Sequence, residues 1–177
     1  PPERVNRQLT NKINDAFILG KQRTEQQDVE FPINQLVEIN LRAISPSVND
    51  PFTAIRCIDQ LSAGLSRLVQ RQFPSPYRYD ERHELRVIAE PVTFEGLVDA
   101  AFNQIRQYGK QDVAVIIRLL EAIATIADYT CDRKDRAVLL RHAAAIKRDS
   151  YENVSDKLDK QDIDEQYLVV EKSLRSG

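Results

Sequence analysis

The chain has 177 residues, with 25 lysines and arginines against 27 aspartates and glutamates, for a formal net charge of -2 at pH 7. That length suits one domain with a real core, and the near-neutral balance argues against the basic excess of a nucleic-acid binder. Only 5 glycines and 7% aromatics, beside abundant Ala, Leu, Ile, Arg, Glu and Gln, favour helices over a β-sandwich.

The chain begins Pro1-Pro2-Glu3, contains no Met, and shows no signal peptide and no apolar run of membrane length. We therefore expect a piece of a longer protein. Val5, Leu9, Ile13, Ala16 and Phe17 recur at helical spacing and predict a first helix over Glu3 to Leu19. Thr24 with Gln27 resembles a capping box. A second helix capped by Asp28 puts Pro32 in its first turn, where a missing N–H costs least. Ile33, Leu36, Val37, Leu41 and Ile44 form its apolar face, with Asn40 inside the stripe. Glu38 and Arg42 make an i,i+4 pair in the favourable order.

A polar elbow, Ser45-Pro46-Ser47-Val48-Asn49, follows. Asp50 is a natural N-cap and Pro51 a natural first helical residue for a third helix. Ile55, Ile58, Leu65, Leu68 and Val69 should line its buried face. Ala54, Cys57, Leu61 and Gly64 make a mostly small stripe suited to close approach of another helix. Pro74 and Pro76 break that helix, and 77–89 reads as a short antiparallel hairpin turning at Glu81 to Glu84. Thr93 caps a fourth helix that Gly109 ends. Gln111 to Tyr129 is apolar almost all round and belongs in the middle of a bundle. A further helix covers Asp132 to Glu152. After a charge-rich stretch from Ser155 to Glu165, Ile163, Tyr167, Val170 and Leu174 resume helical spacing. The expected fold is mainly α: a single-domain bundle of about seven helices, residues 1–177, with a hairpin inserted at 77–89.

The elbow holds the densest polar cluster that packing alone does not require. Arg42, Ser45, Asn49, Asp50 and Thr53 are candidates for a small-ligand site or a hinge, weighed against a corner whose side chains satisfy helix ends. A phosphate site is disfavoured, because the Asp50 carboxylate stands where free N–H groups point. Arg23, Thr24 and Asp28 form a secondary cluster at the loop before the second helix. Asp28 and Arg42 are fourteen positions apart, about 21 Å along one helix, so these clusters do not meet directly. Lys134, Arg141 and Arg148 share one helix face at heptad spacing, a solvated stripe by default and an anionic-lipid contact by alternative. Cys57 and Cys131 read as buried or half-buried thiols. His83 and His142 have no partner at a telling spacing. No zinc spacing, P-loop, G-x-G-x-x-G, H-E-x-x-H or G-x-S-x-G occurs, so no metal or cofactor is expected.

The run R-T-E-Q-Q-D-V-E-F from Arg23 to Phe31, the run L-R-A-I-S-P-S-V-N-D-P-F-T-A from Leu41 to Ala54, and F-x-Q-I-R-Q-Y-G from Phe102 to Gly109 resemble one bacterial family. It is the predicted membrane protein family called domain of unknown function 2254. The resemblance implies a multi-pass inner-membrane parent with a hydrophobic N-terminal half. This chain would be its soluble C-terminal portion, on the cytoplasmic side. The function expected is a non-enzymatic regulatory or scaffolding module. Its partners would be the membrane-spanning half of the same parent or a second copy of itself, with no nucleic acid. Two alternatives stand beside it: a hydrolase-like or small-ligand domain with a carboxylate and arginine site at the elbow, and a module docking on anionic lipid.

Overall fold

A computed structural model describes residues 7–16, 24 and 28–175. Among these described residues are seven helices and one hairpin. These are α1 (Arg7–Asp15), α2 (Glu30–Ala43), α3 (Pro51–Leu68), β1 (Tyr77–Tyr79), β2 (Leu85–Ile88), α4 (Phe94–Tyr108), α5 (Val113–Asp128), α6 (Arg133–Asn153) and α7 (Lys157–Arg175). The expected mainly α class with one hairpin is what the chain adopts.

Caps set most boundaries. Asp50 accepts from the Thr53 N–H, Thr93 from Gly96, Asp112 from Val115 and Asp132 from Lys134. Each satisfies a donor that the first helical turn leaves unpaired. The expected first helix is found over Arg7–Asp15 and ends in a turn at Ala16, and its other residues lie outside the described residues. The last helix is longer than its apolar spacing suggests. The charged residues from Lys157 onward are helical, with Ile163 and Val170 buried.

Packing closes on itself. α2 lies on α3, α3 on α5, α5 on α7, α7 on α6, α6 on α4, and α4 back on α2. α5 also packs on α6, and Val115, Leu119, Leu120, Ile123 and Ile126 along it are buried. Its nearly all-round apolar surface is therefore covered on every side that matters to its stability.

Polar contacts fix the helix directions. Asp59 meets Arg118 at 3.3 Å and Ser62 donates to the Ala122 carbonyl at 3.4 Å, so α3 and α5 run the same way. Glu95 with Arg141 and Arg106 with Asp149 make α4 and α6 parallel. Lys147 with Asp164, and Arg136 with the Ser173 and Leu174 carbonyls, make α6 and α7 antiparallel. One end of the bundle thus carries the elbow, the α4–α5 turn and the α6–α7 turn. The other carries the start of α2, the hairpin, the α5–α6 turn and the end of α7.

Two expectations about α3 need correction. Gly64 is exposed, and a Cβ there would touch nothing within 4 Å, so the close-packing stripe stops at Leu61. Cys57 is buried as expected, and burial pushes its thiol pKa up, but Cys131 is exposed at the α5–α6 turn.

Candidate functional site

The elbow is a tightly capped corner. Ser45 Oγ donates to the Arg42 carbonyl at 2.7 Å, and the Val48 and Asn49 N–H groups donate to the Ser45 carbonyl. The Asp50 N–H donates to the Ala43 carbonyl at 2.8 Å, closing the end of α2. Asn49 makes the reversal with φ 49°, in the left-handed region that Asn tolerates better than most residues. Its neighbour Asp50 accepts from Thr53 twice, from the N–H at 3.1 Å and from Oγ1 at 2.6 Å. Those bonds, the Thr53 hydroxyl first, hold the Asp50 carboxyl below the usual carboxylate range.

Beneath the corner, Asn40 ties the two helices together. Its side chain is fully buried and donates from Nδ2 to the Ala54 carbonyl at 2.8 Å. Its position inside the apolar stripe of α2 is thus explained by a single cross-helix bond. Its Oδ1 is buried without a partner, and a buried acceptor left unpaired is costly.

Beside the corner lies a cleft of ≈ 930 Å³. Leu41 and Ile44 from the end of α2 and Val113 from the start of α5 form its apolar floor. Ser45, Asn49, Gln104, Tyr108 and Gln111 supply its polar rim. The side chains of Asn49, Gln104, Tyr108 and Gln111 make no hydrogen bond among the described residues, and Tyr108 is 72% exposed. Gly109 lets the α4–α5 turn come this close. A Cβ there would meet Val115 Cγ1 at 2.8 Å and the Ile105 carbonyl at 2.9 Å. The charged residue on the rim is Asp112, whose carboxylate caps α5 at Val115.

The expected site residues divide. Ser45 and Asn49 border the cleft; Arg42, Asp50 and Thr53 do not. Arg42 pairs with Glu38 at 2.5 Å and turns to a separate groove of ≈ 470 Å³ with Pro32, Leu36 and Ile39. It makes no ion pair with Asp50, so the corner presents no joined carboxylate and guanidinium. In the secondary cluster, Asp28 accepts from the Glu30 N–H at 3.0 Å and its own N–H donates to the Thr24 carbonyl. Arg23 lies outside the described residues, as does Gln27. On α6, Arg141 is engaged by Glu95 at 3.0 Å and Asp99 at 2.7 Å, and Arg148 by its neighbour Asp149. Lys134 is exposed and makes no ion pair among the described residues.

Sequence reasoning missed the most buried titratable group. His142 is 3% exposed, bonded through Nε2 to Asp99 Oδ1 at 2.8 Å, with Phe102 edge-on to its ring. Burial lowers its pKa, outweighs the Asp99 carboxylate and favours the neutral ring. Its Nδ1 has no partner, which a bare lone pair tolerates better than a proton would. Asp99 and His142 are 43 positions apart, and no local spacing announces their meeting. Among the described residues no group of three or more His, Cys, Asp or Glu side chains is placed to hold a metal ion.

Comparison with known proteins decides the family. Residues 1–125 match the family described as "Predicted membrane protein (DUF2254)". The chain belongs to that family. Relatives at 34% identity over 142 residues include uncharacterized proteins of Mycobacterium bovis and of two strains of Mycobacterium tuberculosis. The matched stretch covers 80% of this chain and 27% of each of those proteins. This DUF2254 chain therefore spans about a quarter of the length of these relatives. No solved structure matches the chain significantly. No helix among the described residues is long and apolar enough to cross a membrane.

Proposed function

We propose that this chain is a non-enzymatic regulatory or scaffolding module of a multi-pass bacterial inner-membrane protein, held on the cytoplasmic side. The observation that carries this reading is how the elbow uses its charged groups. Asp50 is committed to Thr53 and Arg42 to Glu38, while the adjoining cleft offers an apolar floor and uncharged donors and acceptors. Such a surface suits packing against protein better than chemistry on a charged substrate. The membrane-spanning half of the same parent, or a second copy of this module, is the partner that fits. Anionic lipid fits less well, because two of the three basic side chains on the α6 stripe are already paired.

A photo-crosslinking residue in place of Tyr108, in the full-length parent within its membrane, tests the proposal. Adducts to the parent's own membrane half or to a second copy are expected. Absence of adducts there, with adducts from a probe in place of exposed Gln60 instead, sinks it.

A second reading has its own support. The cleft volume is within the range of small-molecule pockets, roughly 300–1,000 Å³. In that case the ligand is uncharged and amphipathic, since no basic side chain borders the cleft. Thermal shifts by neutral compounds, lost on filling the cleft with Ala114→Trp, would establish it.

A further inference from the structure

Among the described residues the hairpin contacts no helix. None of its residues from Tyr77 to Tyr79 or from Leu85 to Ile88 is buried. An isolated two-stranded hairpin is marginal in water, so a face left bare in this way lacks the packing that normally sustains one. Its register is informative. Tyr77 pairs with Ile88 and Tyr79 with Leu85, while Arg78 pairs with Val87. Residues paired across a ladder share a face. One face therefore presents Tyr77, Tyr79, Leu85 and Ile88 together, and Tyr79 and Ile88 are 60% and 68% exposed. Neither tyrosine hydroxyl has a hydrogen-bond partner among the described residues.

From this face and its place in the fold, we infer that the hairpin is an interfacial anchor that seats this module on the surface of a lipid bilayer. Three observations choose the bilayer as occupant. The chain belongs to a membrane-protein family and spans about a quarter of its relatives, so the parent brings a bilayer to the module. The hairpin leaves the bundle at the pole where α2 begins, beside the α5–α6 turn and the end of α7, so its bare face is not shared with the elbow. Its chemistry is interfacial: aromatic rings with free hydroxyls beside two aliphatic side chains, the pattern enriched at headgroup level. A second copy pairing edge to edge fits poorly, because the strands are short and the ladder is broken by an irregularity at Arg78/Tyr79. Between 77 and 89 the three arginines stand against three carboxylates, and Arg86 is held by Asp80 and Glu84. Attachment is therefore through apolar partition, and it does not need anionic lipid. This separates it from docking by the α6 stripe, and it holds whether the elbow is a hinge, a docking corner or a ligand site.

The chain has no Trp, so Tyr79→Trp installs a single tryptophan in this face, excited apart from the tyrosines at the red edge of its absorption. Vesicles of pure phosphatidylcholine are expected to shift its emission to the blue. Phosphatidylcholine brominated on its acyl chains is expected to quench it, equally at low and high salt. Adding Tyr77→Ser and Ile88→Ser to that variant is expected to weaken the partition by at least about tenfold while the far-ultraviolet circular dichroism of the helices stays unchanged. Emission that ignores the vesicles overturns the inference. So does a shift that requires anionic lipid and disappears in salt, or one that tracks protein concentration without lipid.

Discussion

Asn49 sits in a backbone conformation that costs a β-branched side chain heavily and a glycine nothing. Replacing Asn49 with Gly should leave stability near that of the parent, whereas Asn49→Val should cost roughly 1–2 kcal/mol, read from chemical denaturation. Equal effects would mean that the corner takes another conformation in solution. The Asp50 cap separates in the same way. Thr53→Val removes the hydroxyl bond alone, while Asp50→Ala removes that bond and the bond from the Thr53 N–H. The melting temperature should fall more for Asp50→Ala than for Thr53→Val. This cap was legible in advance, because Asp-Pro at a helix start has a local physical cause. The Asn40 bond was not, since an amide inside an apolar stripe does not say which carbonyl it will meet.

His142 carries a pH prediction of its own. Its folded pKa lies below the ordinary 6.5 because the ring is buried beside Phe102. Asp99, to which it is bonded, favours the protonated form, while Arg141 and Arg106 oppose it. As pH falls, the unfolded ring takes up its proton first. The stabilising contribution of the neutral ring is therefore complete above about pH 6.5 and is lost as pH drops through the folded value. The carboxyls of Asp50, Asp80 and Asp164 are held below the ordinary 3.8 by their hydrogen bonds and act in a more acidic window. Urea midpoints at about pH 7.5 and about pH 5.5 should fall further apart for the natural chain than for His142→Phe. Identical drops in the two proteins would dismiss the role of the ring.

At the scale of elements, the seam between α4 and α6 holds an almost buried ion pair. Arg106 and Asp149 are 14% and 19% exposed. The two halves are not equivalent. Without Arg106, Asp149 keeps its bonds from Arg148 at 3.0 and 3.1 Å. Without Asp149, the Arg106 guanidinium loses its one ion-pair partner, and its Nε is already unpartnered. Asp149→Ala should therefore cost about 3 kcal/mol and exceed Arg106→Met, because a stranded buried charge is worse than a missing one. A larger loss for Arg106→Met would reverse this assignment. In the central helix, Leu120→Ala should cost about 2–5 kcal/mol, as expected for a side chain with no exposed surface. α5 was the clearest helix in the chain because its apolar run leaves no other placement. The first half of α7 was the least clear. Its charges face water, and only Ile163 and Val170 are fully covered, which makes a weak periodic signal.

At the scale of the molecule, what sequence could not supply is what arises where distant elements meet. The cleft takes its floor from α2 and α5 and its rim from the elbow, α4 and the α4–α5 turn. Ser45 and Asn49 were identifiable because they belong to a local bend. Gln104, Tyr108 and Gln111 were not, because each looks like an ordinary surface residue until α4 is laid on α2. The same holds for the bare face of the hairpin. Alternation suggested the strands, and only the register and the lack of helix contact revealed that Tyr77, Tyr79, Leu85 and Ile88 stand together unburied.

The grip of Arg136 has a mechanical consequence. Its guanidinium holds the Thr130, Ser173 and Leu174 carbonyls, pinning the tail of α7 to the α5–α6 turn at the pole where α2 begins. A pull on the two ends of the bundle is thus delivered to one pole, and it peels the helices apart instead of sliding them past each other. Rupture should begin at those three oxygen atoms and reach the elbow last. Removing the grip with Arg136→Met should lower the force of the first opening step in an optical-trap trace and leave later steps unchanged.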